Sequence, residues 1–285
     1  MQTFAFALLA AALYGTGLVT THYGLRHMPS LAGARVSIPS AALLFWLLSP
    51  FLGWSGWQWQ ALGLFALVGL FYPAAVTLLT FAGNRRLGPT VSGTISSTTP
   101  LFAVLGAALF LGEAPGIREY AATAFIVLGT MALSKPAAGV TPAASRSALW
   151  MPWSAALLRA LAQVLSKAGL ALWPNPFAAV ITGYTVSAVI VWTAGMFVSG
   201  SGASAFNRRG VPWFVLTGVL NGTAVLSMYY ALTTGSVGAV APVVATYPLF
   251  TLALSATLLR RERLSARLIG GVVLTVAGVV ILVAR

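Results

Sequence analysis

The sequence predicts an all-α membrane protein of ten transmembrane helices, arranged as two inverted five-helix repeats around a central cavity. Three observations carry this: a composition too apolar for water, a succession of segments of membrane-crossing length, and a motif written twice. Charged residues make up 7% of the 285 and apolar residues 59%, and mean hydropathy is +0.91. That little charge cannot cover a soluble surface, so lipid is the solvent for most of the chain.

A helix needs roughly 20 mainly apolar residues to cross the hydrocarbon. Windows of that size fall at about 3–22, 32–52, 59–82, 90–111, 117–134, 149–170, 177–198, 211–232, 237–259 and 266–284. The joins are mostly short, and several hold Gly or Pro, among them Gly53, Gly56, Gly88, Pro89, Pro174, Pro176 and Gly210. The longest polar interval, Lys135 to Ser147 (KPAAGVTPAASRS), has linker composition. The chain is thereby read as one five-helix unit over 1–134, a linker over 135–148 and a second unit over 149–285.

The repeated motif supports that division. Pro100-Leu101-Phe102 returns as Pro248-Leu249-Phe250, each inside an apolar helix of small residues. Each is followed by a helix-end glutamate (Glu113, Glu262) and then by an apolar helix with a late glycine (Gly129, Gly278). More weakly, Tyr23-Gly24-Leu25 with Pro29 lies over Ala168-Gly169-Leu170 with Pro174. Recurrence of the same motif in two halves of about the same length marks a duplication. Because five is odd, a second copy in tandem enters the membrane from the other side. Inverted repeats of this kind are the usual basis of alternating access about a midplane site.

The net charge is +13. In a soluble protein that would suggest nucleic acid, but here the cations sit in short loops between apolar segments, so nucleic acid is rejected as a partner. One set of loops and their edges holds Arg26, Arg35, Arg85, Arg86, Lys135, Arg146, Arg208, Arg209, Arg260, Arg261, Arg263 and Arg267; the other holds Arg118 and Arg285. Cations accumulate on the cytoplasmic side, which places both termini outside the cytoplasm. No basic residue precedes the first apolar segment, so it is not read as a cleaved leader.

Absences narrow the function. The chain has no cysteine and no aspartate, and its three acids, Glu113, Glu119 and Glu262, fall at helix ends. Carboxylate dyads, thiolate nucleophiles, Cys-based or carboxylate metal sites and a Walker A loop are all missing. An enzyme is not expected, nor any cofactor or metal. A mid-membrane carboxylate that could relay protons is missing too.

Polar residues inside the apolar windows are the site candidates. Arg159, Gln163 and Lys167 follow at four-residue spacing and share one helix face, with Ser166 beside them. A cation halfway across the membrane is costly unless it faces water or a partner, so Arg159 is expected to line a cavity. The plainer alternative is that Arg159 and Lys167 snorkel to opposite interfaces. Repeat alignment pairs Tyr14 with Arg159 and His22 with Lys167, and His22 and Lys167 are the candidate coupling groups. Helix 4 carries Ser92, Thr94, Ser96, Ser97, Thr98 and Thr99 before Pro100, and helix 9 answers with Thr246 and Tyr247 before Pro248. Each proline frees a carbonyl and bends the helix, so Pro100 and Pro248 are the expected gating positions, and nearby hydroxyls can bind a polar ligand. The small-residue pairs Gly93/Ser97, Thr94/Thr98, Ala103/Ala107 and Ala241/Ala245 serve packing instead. Tyr72, Tyr184, Asn221, Tyr229 and Tyr230 could line an aromatic, hydroxyl-rich cavity, whereas Trp54, Trp57 and Trp59 fit the interfacial belt.

With these residues in place, the chain resembles the EamA-type members of the drug/metabolite transporter superfamily. The duplicated Pro-Leu-Phe, the helix-end glutamate and the glycine-bearing helix carry the resemblance, with Arg35 and the Phe81-Ala82 and Tyr230-Ala231 pairs also fitting. Within the family it looks most like YddG-type exporters of aromatic and other amino acids in bacterial inner membranes. The resemblance implies a ten-helix basket, a central cavity and export by alternating access, with Pro100 and Pro248 at or beside the cavity and Glu113 and Glu262 as structural acids. Family members commonly have cytoplasmic termini, whereas the cations here predict the reverse. The small four-helix multidrug members use a glutamate in helix 1, and the region around Tyr14 has none.

The expected function is therefore export of amino acids and related small metabolites across the inner membrane without a buried-carboxylate proton relay. Arg159 would hold a carboxylate; Gln163, Thr98, Thr99, Tyr247 and Asn221 would supply hydrogen bonds; Tyr72, Tyr184 or Tyr229 would contact an apolar side chain. A sugar-phosphate or nucleotide-sugar transporter, with Arg159 and Lys167 on a phosphate, is the nearest alternative. A membrane-embedded enzyme and a non-transporting receptor or scaffold are the more distant ones. The expected partners are lipid and a small-molecule substrate; the oligomeric state is left open.

Overall fold

The computed structural model describes residues 1–52, 56–133, 148–197, 206–259 and 266–284. Trp54, most of the expected linker, Glu262, and the cations Lys135, Arg146, Arg260, Arg261, Arg263 and Arg285 lie outside the described residues. The helices are α1 (Gln2–Leu25), α2 (Ser30–Leu48), α3 (Trp59–Phe71), α4 (Ala74–Ser96), α5 (Thr99–Phe110), α6 (Ile117–Leu133), α7 (Trp150–Leu172), α8 (Pro176–Phe197), α9 (Val211–Thr234), α10 (Val237–Val244), α11 (Tyr247–Leu259) and α12 (Ala266–Val283). The described residues contain no strand. Nine segments among them are long and apolar enough to cross a membrane. The tenth expected span, α6, has 17 residues and carries Arg118 and Glu119 in its first turn. At 1.5 Å per residue it reaches about 25 Å against a hydrocarbon core of about 30 Å.

Three expected spans are not single helices, and proline explains each departure. The third is interrupted at Tyr72-Pro73, a cis peptide, between α3 and α4. Pro73 has no N–H to give the Gly69 carbonyl. Ser187 of α8 takes its place: its Oγ donates to the Gly69 carbonyl at 2.6 Å and accepts from the Ala74 N–H at 3.3 Å. α4 then continues to Ser96, so the expected loop at Gly88-Pro89 is helical backbone instead. Pro100 and Pro248 were expected to bend continuous helices. The chain instead breaks just ahead of them, at Ser97–Thr98 between α4 and α5 and at Ala245–Thr246 between α10 and α11.

Around these breaks the helices form one packed bundle. α1 lies along α9 and against α10 and α11; α7 lies along α3, α4 and α5; α2 packs on α8 and α9, and α3 on α8; α6 pairs with α12. Small residues let the backbones approach, as helix association in lipid requires. Ala7, Ala10 and Ala11 are fully buried along α1. At Gly218 of α9 a Cβ would collide with the Ser37 carbonyl of α2, so a side chain there would force the two helices apart. The outward faces carry exposed Leu43, Leu47, Leu70, Leu109, Leu128, Val273 and Val280, the surface expected of helices dissolved in lipid. Trp57 and Trp59 are exposed near the head of α3, in keeping with an interfacial belt.

A tyrosine and arginine candidate site in the bundle interior

The interior polar groups converge from both ends of the chain. Tyr14 of α1 and Tyr72 at the α3–α4 break share a hydrogen bond of 2.6 Å between their hydroxyls. Tyr184 of α8 and Tyr229 of α9 are buried nearby, close enough to Tyr72 for electrostatic interaction. Ser166 of α7 donates to the Tyr229 hydroxyl at 2.8 Å. Tyr184 packs edge-on against Phe45, 5.7 Å between ring centroids. Arg159 is half-buried on α7, with an Nη2 to Thr80 Oγ1 distance of 3.4 Å. Its charge acts on both the Tyr14 and Tyr72 hydroxyls. A half-buried guanidinium with one hydrogen bond among the described residues keeps donors to spare, which suits capture of an anion.

Beside this cluster is a small cavity of about 30 Å³, walled by Ser37, Thr77, Tyr184, Thr217, Gly218 and Asn221 together with Ile38, Pro73 and Phe81. It draws on α2, α4, α8 and α9, with at least one polar side chain from each. The volume suits a water or two. The Asn221 amide also lies against α1, where a Cβ at Gly17 would meet its Oδ1 and the side chain would have to shift.

Gln163 lies one turn from Arg159 on the same face of α7. It is 4% exposed, and its Oε1 has no hydrogen-bond partner. Lys167, one turn further, faces other work. Its Nζ donates to the carbonyls of Leu232 and Gly235, at 2.7 and 2.8 Å, and so covers the end of α9. Across the same link Glu113 accepts from the Val237 N–H at 2.9 Å and the Gly238 N–H at 3.4 Å, at the start of α10. A carboxylate at a helix N-terminus and an ammonium at a helix C-terminus both oppose the local backbone charge favourably.

The remaining sequence candidates occupy other places. Thr98 and Thr99 are buried at the α4–α5 break, with hydroxyls donating to the Ile95 and Ser96 carbonyls at 2.6 and 2.7 Å. Tyr247 is half-buried at the head of α11, where its carbonyl lies against Gly15. His22 is exposed near the end of α1, 3.2 Å from an Arg26 nitrogen. Tyr230 stacks on Phe6 at the bundle surface. Residues that sequence reasoning did not select include Thr80, Ser37, Thr77, Thr217 and Ser187. For Tyr14 the usable signal is its repeat pairing with Arg159, since both sit near the middle of their helices, α1 and α7.

The sequence matches the EamA-like transporter family over residues 2–135 and 146–284. The chain belongs to that family and is a multi-pass membrane transporter. Among solved structures, one crystal structure of a protein superposes with a TM-score of 0.82 at 15% identity, covering 98% of this chain and 95% of that one. At that identity the likeness speaks to the fold. No curated protein matches the sequence.

Proposed function

We propose that the protein exports amino acids, aromatic and other neutral ones, with related small metabolites, by alternating access of two inverted five-helix repeats. The observation that carries the substrate reading is Arg159 held in the bundle interior beside the Tyr14–Tyr72 hydroxyl pair. One guanidinium among aromatic rings matches a single carboxylate attached to an apolar or aromatic body. The sugar-phosphate alternative needs Lys167 to join Arg159 on one ligand, and Lys167 instead covers the Leu232 and Gly235 carbonyls.

Packing supports the repeat reading. Exchange α1 with α7, α2 with α8, α3 and early α4 with α9, and α4–α5 with α10–α11, and the main pairings of the first helices correspond: α1 on α9 becomes α7 on α3 and α4, and α1 on α10 and α11 becomes α7 on α4 and α5. Arg26, Arg208 and Arg209 are exposed on loops expected to be cytoplasmic, and Arg86 of α4 and Arg267 at the start of α12 are exposed as well, which favours termini outside the cytoplasm of a bacterial inner membrane.

The test is uptake of labelled threonine and of an aromatic amino acid into proteoliposomes, with and without a pH gradient. Gradient-independent movement is expected, and Arg159→Ala should lower it by about tenfold or more, since a charge-assisted hydrogen bond contributes about 1.5–3 kcal/mol. An Arg159→Ala rate equal to wild type rejects the carboxylate role. Strong inhibition by inorganic phosphate turns the reading toward phosphorylated sugars.

A further inference from the structure

We infer that Gln163 is the ammonium acceptor of the site, so that recognition of a zwitterionic amino acid is completed by a neutral amide oxygen where a carboxylate is the commoner solution. The inference rests on the amino acid reading above. A zwitterion brings two charges into the bundle, and Arg159 answers only the carboxylate. An ammonium in a low-dielectric interior needs acceptors, and the chain has few charged ones to offer. It has no aspartate, and among the described residues its glutamates are Glu113, in the link after α5, and Glu119, in the first turn of α6. Glu113 is already occupied by the Val237 and Gly238 amides, and Glu119 is bound to the Gly116 N–H at 2.6 Å.

Gln163 Oε1 meets the requirement. The residue is 4% exposed, yet its amide oxygen has no partner, and a buried acceptor left open is costly unless something fills it. Its spacing from Arg159 puts the two heads on neighbouring turns of one face, about 5–6 Å apart at their Cβ atoms. The two charged groups of an α-amino acid are carried on one carbon, and two long, flexible side chains at that separation can converge on them. Tyr229, tied to Ser166 three residues along α7, supplies a further neutral oxygen near the same stretch. Neutral acceptors hold a cation less tightly than a carboxylate does, so the substrate can be released without a proton having to arrive. The absence of a mid-membrane acid then becomes part of the mechanism.

The experiment is competition against labelled phenylalanine in proteoliposomes, using unlabelled phenylalanine, hydrocinnamate (no ammonium) and phenethylamine (no carboxylate). Gln163→Leu should raise the inhibition constant for phenylalanine about tenfold or more relative to wild type and leave that for hydrocinnamate unchanged. Arg159→Ala should weaken hydrocinnamate and leave phenethylamine unchanged. Retained hydrocinnamate binding shows that the variant is folded. An equal loss for phenylalanine and hydrocinnamate in both Gln163→Leu and the similarly sized Gln163→Met overturns the inference, as does no loss in either. If wild-type protein does not take up phenylalanine at all, it is the amino acid reading that fails.

Discussion

At Ser97–Thr98 and again at Ala245–Thr246 the chain leaves helical geometry through the same bonds. The Thr98 N–H donates to the Ile95 carbonyl at 3.0 Å and the Thr246 N–H to the Val243 carbonyl at 3.1 Å. Each threonine hydroxyl reinforces that bond, at 2.6 and 2.7 Å. The next helix opens with Leu101 N–H to the Thr98 carbonyl at 3.0 Å and Leu249 N–H to the Thr246 carbonyl at 2.9 Å. The residue between threonine and proline differs. In the first half Thr99 turns back to the Ser96 carbonyl that Pro100 cannot satisfy. In the second half that place is taken by Tyr247, whose hydroxyl, at the far end of a ring, cannot reach its own backbone. Threonine and proline therefore make the break, and the residue between them decides whether it is closed locally.

A local closure moves with its own helix. A closure supplied by the other half must be undone if the halves move apart, and Ser187 and Glu113 supply such closures among the described residues. Ser187 reaches from the second half to the Gly69 carbonyl of the first, and Glu113 reaches from the first half to the amides that start α10. The largest effect is expected at Glu113. The chain is free of cysteine, so Val237→Cys, at a fully buried position, gives a single reporter at the α9–α10 link. Glu113→Gln should speed its labelling by an impermeant maleimide about tenfold, because bonds to an ionised acceptor are about twice as strong as neutral ones. Unchanged labelling would mean that Lys167 alone holds the link.

Ser187→Ala comes next. It leaves a buried carbonyl at Gly69 and an N–H at Ala74 without their partner, at a cost of about 1–3 kcal/mol per unsatisfied group, in a region where lipid and packed side chains offer no substitute. The melting midpoint in detergent should fall clearly below that of wild type. A midpoint at the wild-type value would show that the break satisfies itself in some other way.

These contacts also mark how far the sequence could be read. The apolar windows, the duplicated Pro-Leu-Phe and the Arg159–Gln163 spacing on α7 are local patterns, each visible within a turn or a span; nine segments among the described residues are long and apolar enough to cross a membrane, and α6 falls short. The breaks are half legible: proline announces a disturbance, but which hydroxyl, if any, covers the freed carbonyl depends on what the fold brings within reach. For Thr99 that hydroxyl is adjacent. For Gly69 it is 118 residues away. Likewise the Tyr14–Tyr72 pair joins residues 58 apart and Lys167 reaches a carbonyl 65 residues on. Lys167 looked like a site residue because its spacing from Arg159 is that of a shared face, and spacing says nothing about which end of a neighbouring helix lies opposite.

The smallest effect separates the two breaks themselves. Thr99→Val keeps the shape of the side chain and removes the hydroxyl, so the Ser96 carbonyl loses its cover while the Thr98 turn stays intact. The expected cost is about 1 kcal/mol, too small to stop folding and large enough to change local opening several-fold. In wild-type protein, amide exchange at the head of α11 should be faster than at the head of α5, because Tyr247 leaves the second break without local closure. Thr99→Val should bring the head of α5 up to the rate of α11 and leave α11 unmoved. Equal rates in the wild type would mean that the intervening residue does not decide closure, and that the two breaks are equivalent hinges despite Tyr247.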